Sequence, residues 1–405
     1  MRLWRYKADW GQPIIETLAW LTDIRATRAG TEQRTRLREH PRRAMSFSTV
    51  TIGRPKRDID ADLWGAGVEG WIVPLWWDAA FPRTVIGNAE FVGVNLDQGR
   101  DFQVGQYVAV MKGNADRRDD VTGDEDWDFF EITTIFDGAG DDRHIAVDGP
   151  IPAHLQDGPV VIYPAFSAAL TGAEVESVTA TAATASASFE LIDYRSPAGA
   201  SPFGQYLDLD LFDDRPDRQR PEPVTYDRMI DTIDYGLGRV TRYDDPLRPF
   251  LRRDRDFVYV DRDDLWDRRR WLHSIGGAHG SFWSPTWDRD LVVVGLSGFP
   301  AGTELQVEPI KWADRYGGEP GRDVIYLRIK GEDPVVRNLD SNSGDFEDGY
   351  EILYVDAIDA FDAADVIGCS WLERVRLSGD VVEIEHVAQG KARINLPMVV
   401  LDDDL

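Results

Sequence analysis

Apolar and polar residues alternate with period two along much of this chain. Met45, Phe47 and Thr49 alternate with Ser46 and Ser48, Phe257 and Tyr259 flank Val258, and Val382 and Ile384 alternate with Glu383 and Glu385. Successive side chains of a strand point to opposite faces, so this pattern predicts half-buried strands with one wet face. Short apolar runs at 132–135, 160–163, 292–294 and 352–355 fit buried strands. Gly and Pro punctuate the chain at short intervals, and sustained helical period is scarce; 263–272 reads as a short helix. The Ala- and Thr-rich stretch 180–188 resembles helix in composition, but its counterpart 381–394 reads as strands, so it is expected to be strand too. The expected fold class is all-β, β-rich with little helix.

The pattern occurs twice. Leu37 answers Leu247, Trp71 answers Phe282, Gly99 answers Gly302 and Leu170 answers Leu377, at offsets of 210, 211, 203 and 207. Within these matches Arg42-Arg43 returns as Arg252-Arg253, and Trp71, Pro74 and Trp76 return as Phe282, Pro285 and Trp287, with Trp283 beside them. A unit of about 207 residues is far longer than the roughly 20–50 residues of a solenoid or propeller repeat, and fits a whole domain. Two tandem duplicated β-sandwich or partial-barrel domains are expected, copy one over 1–196 and copy two over 223–405. Between them, 197–222 is rich in Pro, Gly and charge without apolar period, which reads as a linker or an arm.

Charge and cysteine usage narrow the function classes. A net charge of -27 opposes binding to nucleic acid and to anionic membrane surfaces, both of which attract Lys and Arg. One cysteine, Cys369, leaves no disulfide framework and no multi-cysteine zinc site, and reads as a small buried residue. The start of the sequence lacks an apolar signal-peptide core, and no run of about eighteen apolar residues occurs. Synthesis and folding in a cytosol are expected.

The chain holds fourteen tryptophans, several of them in the repeated pairs. An aromatic side chain buries about 150–250 Å², so Trp71, Trp76, Trp283 and Trp287 are expected to anchor cores or a domain contact; exposed, they would form a platform for sugar rings. Motif chemistry is thin: no HExxH, GxSxG or phosphate-binding loop occurs. Gly276-Gly277-Ala278-His279-Gly280 reads as a turn into the Trp-Pro strand. No catalytic residue and no cofactor are expected. The segment 340–351 places Asp340, Asn342 and Glu351 at positions 1, 3 and 12 of a calcium-type loop, but its glycine falls at position 5 where such a loop has it at 6. Its plainer reading is an acidic solvated loop, as for the acidic segment 116–128.

Three motifs occur in order near the start: Trp20-Leu21-Thr22-Asp23-Ile24, Gly30-Thr31-Glu32-Gln33-Arg34, and Leu37-Arg38-Glu39-His40-Pro41-Arg42-Arg43. Over these some 30 residues the chain resembles a family of distal tail and baseplate proteins of long-tailed bacteriophages (siphophages), with its W-x-T-D strand, G-x-E-Q-R turn and L-R-x-x-P-R strand. Copy two departs from the pattern: Asp231 to Tyr235 stand where the Trp strand would be, and the Glu-Gln-Arg turn is lost.

The resemblance implies a β-rich, non-enzymatic virion protein at the tail tip, assembled in the host cytoplasm into a ring of three or six around the tail channel. Its implied partners are copies of itself, the tail tube protein, hub or other baseplate proteins and a tape-measure protein, with neither direct nucleic-acid binding nor a membrane. A negative lumen does not retain DNA passing through it, which suits the charge. The residues expected to carry assembly are Trp20, Asp23, Arg34, Arg42, Trp71, Pro74 and Trp76, with Arg252, Trp283, Pro285 and Trp287 in copy two. The alternatives are a carbohydrate-binding, host-receptor-binding virion module and, third, a polysaccharide-degrading enzyme, which needs two convergent carboxylates.

Overall fold

The alternation at Met45, Phe47 and Thr49 becomes the inward face of one long strand, and Arg43 shares that face. A computed structural model describes residues 1–27, 31–65, 70–86, 90–94, 99–112, 127–137, 143–156, 159–192, 194–197, 201–228, 230–236, 238, 240–244, 249–298, 303–317, 321–347 and 349–401. Gly30, 116–126, 198–200, Leu247, Arg248, Gly302 and Asp348 lie outside the described residues. With 53% strand against 11% helix, the chain is all-β, as the alternation predicts.

In the first half, β1 (Ile14–Ala19), β2 (Arg42–Ile52), β3 (Trp71–Pro74), β4 (Tyr107–Lys112), β5 (Val160–Thr179) and β6 (Ala182–Leu191) pair antiparallel. Their order is β1-β2-β6-β5, with β3 and β4 against the near part of β5. In the second half, β7 (Val224–Asp227), β8 (Phe250–Tyr259), β9 (Ser281–Pro285), β10 (Val324–Ile329), β11 (Val366–Leu377), β12 (Val381–Ala388) and β13 (Lys391–Val400) follow the same plan. Here β7-β8-β13 run side by side, β13 pairs with β11 and β12, and β9 and β10 lie against β11. Thus β11 and β12 together hold the place of β5. The single strand has a bulge between Leu170 and Gly172; its counterpart breaks at Ser378-Gly379-Asp380.

Each half also has a helix at the same point, α1 (Arg54–Gly65) after β2 and α2 (Arg262–Ile275) after β8. The expected helix over 263–272 is the body of α2. Asp261 caps its start by accepting from the Asp263 N–H, and Gly276 ends it in the left-handed region at φ 65°. The periodicity did not point to α1, because Ile59 is the one buried residue along it.

The two principal cores are built alike. Trp4 N donates to Ile72 O, and Phe212 N donates to Trp283 O, both at 2.8 Å. Trp4 meets Trp71 edge-on at 5.4 Å, and Phe212 meets Phe282 edge-on at 5.7 Å. Phe47 and Phe257 complete the two clusters. Edge-on aromatic pairs contribute about 0.5–1.5 kcal/mol beyond their buried area, so a repeated cluster is a repeated anchor. Phe212 belongs to the segment 197–222, whose described part 201–222 is packed onto the second half: Asp214 accepts from Tyr259 and Arg268, and Arg218 donates to Trp287 O.

Candidate functional site at the junction of the two halves

The halves share one sheet because β1 has a strand on each side. Ile15 to Ala19 oppose Ser46 to Arg42 of β2, and Ile14 to Ala19 oppose His386 to Val381 of β12. Ile14, Glu16 and Leu18 point inward. Ile14 belongs to the first core and Leu18 to the second, and Glu16 lies between them at 0% exposure.

A buried carboxylate must be paired, and Glu16 is paired three times. Arg43 Nε donates to Glu16 Oε1 at 2.6 Å, His386 Nε2 lies 2.8 Å from Oε2, and Arg269 Nη2 also donates to Oε2. Asp101 completes the set, accepting from Arg43 Nη1 at 2.5 Å and from Arg269 Nη1 at 3.5 Å. Two carboxylates and two guanidinium groups balance in charge. Glu16, Arg43 and Asp101 come from the first half, Arg269 and His386 from the second. Around them Trp77 stacks flat on His386 at 4.1 Å, the Arg43 guanidinium lies 4.6 Å from the Tyr194 ring centre, and Tyr194 OH meets His273 Nε2 at 3.1 Å.

Burial alone would raise the pKa of Glu16, but Arg269, Arg43 and His386 outweigh it and hold the carboxyl well below its usual range. Burial opposes the charge on Arg43, yet Glu16, Tyr194 and Asp101 keep it protonated. Burial first, then Arg269 and Arg43, push His273 down to about 3. His386 is lowered by burial despite its bond to Glu16. Both imidazoles are therefore neutral near pH 7.

Residues 20–27 and 31–43 continue this junction. Trp20 N donates to Asp380 O, Thr22 N and Oγ1 donate to the Asp380 carboxylate at 2.6 and 2.8 Å, and Ala278 N donates to it at 3.0 Å. Gly277 sits beneath at φ +71°, where a Cβ would lie 2.6 Å from Asp380 Oδ1 and 3.0 Å from Trp20 Cβ. On the hairpin Thr22–Ala26/Glu32–Arg36, Glu32 accepts both arms of Arg376 at 2.7 and 2.6 Å. Such two-pronged pairs fix geometry as well as charge.

The second half has its own network of the same kind. Arg253 donates twice to the buried Glu373, at 2.6 and 2.9 Å, Arg322 donates to it at 2.8 Å, and Arg255 donates to Glu222 at 2.6 Å.

The residues expected to carry assembly divide into two groups. Trp71, Pro74, Trp76, Trp283, Pro285 and Trp287 are buried within their own halves. Trp20 is buried at the junction, edge-on to His273 at 5.7 Å. Arg34 is half-buried there, its pKa lowered by burial and by Arg376 and Arg374 in spite of Glu32. Asp23 pairs with Arg25 on the outer side of the hairpin, while Arg42 and Arg252 point outward and, among the described residues, pair at the surface with Glu190 and Asp227. Their neighbours Arg43 and Arg253 are the buried members. The sequence reading also missed Glu16, Asp101, Arg269 and His386. The available signal was Ile14-Glu16-Leu18, a carboxylate set between two apolar residues on one face.

The calcium-loop spacing is answered otherwise. Glu351 is fully buried and accepts from Ile310 N and Lys311 N, each at 2.7 Å, and from Trp312 N, so it caps a backbone turn. Asp340 accepts from Asn342 in a local turn. Among the described residues no group of three or more His, Cys, Asp or Glu is placed to hold a metal ion. Cys369 is fully buried, and burial raises its pKa. Eleven of the fourteen tryptophans are at most 9% exposed, so the repeated pairs form no sugar platform.

The junction network has the residue types of an active site but none of the access. Glu16, Arg43, Asp101, Arg269 and His386 are each at most 2% exposed, and each carboxylate already accepts from an arginine. What such an arrangement does is hold two bodies in one orientation. No protein-family model and no curated protein matches this chain.

Proposed function

We propose that this chain is a structural, non-enzymatic subunit of a bacteriophage tail tip or baseplate. In this reading it forms a ring that closes the tail tube and connects it to hub or receptor-binding proteins. The observation that carries it is the sealed junction. The best-built polar constellation of the chain commits every charge to fixing the angle between two similar halves and presents none to an outside ligand. The segment that resembles the tail-protein family contributes directly: Trp20, Thr22, Glu32 and Arg43 are junction residues. Two similar halves held at one angle let three chains make a pseudo-six-fold ring, or six chains a two-tier one.

The glycan-binding reading has less support, because the described tryptophans are mostly core and the exposed Trp64 has no aromatic ring stacked on it among the described residues. Electron microscopy of the purified protein, alone and mixed with a siphophage tail tube protein, tests the proposal. Rings of three or six that cap tube ends are expected. A monomer that binds glycans and no tube would reverse the two readings.

A further inference from the structure

We infer that a second copy of this chain docks along the free edge of β7 through the far half of its own β5. The inference rests on the reading of the chain as a self-assembling subunit and names the contact that joins one subunit to the next. Its template lies inside the molecule. Arg43 opposes Leu18, and Arg253 opposes Val224, so β7 holds the place of β1, with Glu222 in the place of Glu16. Yet β1 has a strand on both sides, whereas among the described residues β7 pairs with β8 alone.

The other partner of that junction, β12, also has a counterpart. Phe47 opposes Ala187 and Ala187 opposes Ala173; Phe257 opposes Ile394 and Ile394 opposes Ile384. Ala173 therefore holds the place of Ile384. Among the described residues no strand pairs with the outer edge of 172–179. One chain thus carries both faces of a junction that it makes internally once.

The free edge is competent to pair. Pro223 O accepts from Asp254 N at 3.3 Å, so the odd-numbered residues of this segment turn their bonding groups toward β8. Pro221 and Pro223 lack an N–H only on that side. Glu222, Val224 and Tyr226 turn N–H and C=O outward, where an unguarded edge accepts an added strand.

Side chains agree with the backbone. The hairpin Thr22–Ala26/Glu32–Arg36 is docked on the opposite half, whereas among the described residues its counterpart Ile230–Ile233/Thr241–Asp244 pairs with no further strand. It and the adjoining strand expose Tyr226 at 63%, Ile230 at 47%, Tyr235 at 83% and Val240 at 47%. On the receiving half, Val178 is 69% exposed on the free edge and Trp64 93% exposed on α1. Glu222 itself is 16% exposed, where Glu16 is sealed. Docking of this kind is head-to-tail, and closes into a ring or grows as a filament according to its angle.

Cross-linking tests the register. Thr17 opposes Glu383 inside the chain, so Pro223 of one copy should oppose Gly172 of the next. A Cβ at Gly172 meets nothing within 4 Å, so the site accepts a side chain. A chain carrying Gly172→Cys and Pro223→Cys, oxidised and run without reductant, is expected to give a ladder of covalent multimers. Each single variant, and Ser177→Cys with Pro223→Cys, should stop short of a ladder. Tyr226→Pro removes an outward N–H and no bond to β8, and is expected to shift the native mass to the monomer. A multimer that forms without the cross-link overturns this contact and leaves self-assembly standing. A wild-type chain that stays monomeric in concentrated solution overturns both. A cross-linked open filament upholds the contact and overturns the ring.

Discussion

His386 Nε2 and Glu16 Oε2 lie 2.8 Å apart, although 370 residues separate them in the chain. Between them they tie β12 of one half to β1 of the other. Glu16 is also the group on which Arg43 and Arg269 depend for a counter-charge.

Glu16→Ala should therefore be among the most damaging single changes in the protein. It leaves two buried guanidinium groups with one carboxylate between them. Removing one partner from a buried ionic set costs about 3–5 kcal/mol. Arg42→Ala, on the same strand as Arg43 but facing solvent, should change stability by less than about 1 kcal/mol. Urea unfolding of the two variants side by side checks the contrast.

Acid should loosen the junction before ordinary carboxylates titrate. His273, pushed down to about 3 by burial and by Arg269 and Arg43, stays neutral in the fold while an unfolded chain takes up a proton near 6.5. Stability then falls as pH drops from 6.5 toward 3, by about 1.4 kcal/mol per pH unit for this histidine. His386, also lowered, acts in the same direction. Glu16, held below its ordinary 4.5, adds a further loss of the same sign as pH falls below that value. Thermal melts between pH 7 and 4.5 should show the decline in the wild type and a shallower one in His273→Gln.

How much of this was legible in the sequence depends on the distance involved. Period-two alternation gives the strands directly, and the strand over 182–191 was recoverable through its counterpart despite a helix-like composition. The Arg-Arg pairs were visible, but which member is buried turns on phase: Arg43 shares a face with Met45 and Phe47, and Arg253 shares one with Phe257. The partners Arg269 and His386 carry no local signal, because nothing near them in the chain refers to Glu16. The calcium-like spacing misleads for the complementary reason: Glu351 lies mid-strand, aimed at three backbone N–H groups that a spacing rule cannot see.

Gly277→Ala should destabilise the protein beyond the usual conformational penalty. Its φ of +71° is unfavourable to any side chain, and the added carbon would press on Asp380 and Trp20. Gly172→Ala, with open space around it and ordinary backbone, is the matched control. Differential scanning calorimetry should separate them by several degrees, on the order of 1–3 kcal/mol.

Trp4→Ala and Phe212→Ala should cost similar amounts, about 3–5 kcal/mol each, since each empties the centre of an equivalent cluster. Limited proteolysis should then distinguish them. Cleavage is expected to begin in the first half for Trp4→Ala and in the second for Phe212→Ala.

The placement of β1 has a consequence for the timing of synthesis. Ile14 opposes His386, so one side of β1 has no partner until residue 386 has left the ribosome. At roughly 5–20 residues per second, that wait lasts on the order of 20–70 seconds. During this interval the nascent chain holds an open strand edge with a buried-type glutamate on it, and Arg43 is its one arginine partner until Arg269 is made. Neighbouring chains on one polysome carry the same edge at the same time, and delayed closure of β1 is where they would tangle.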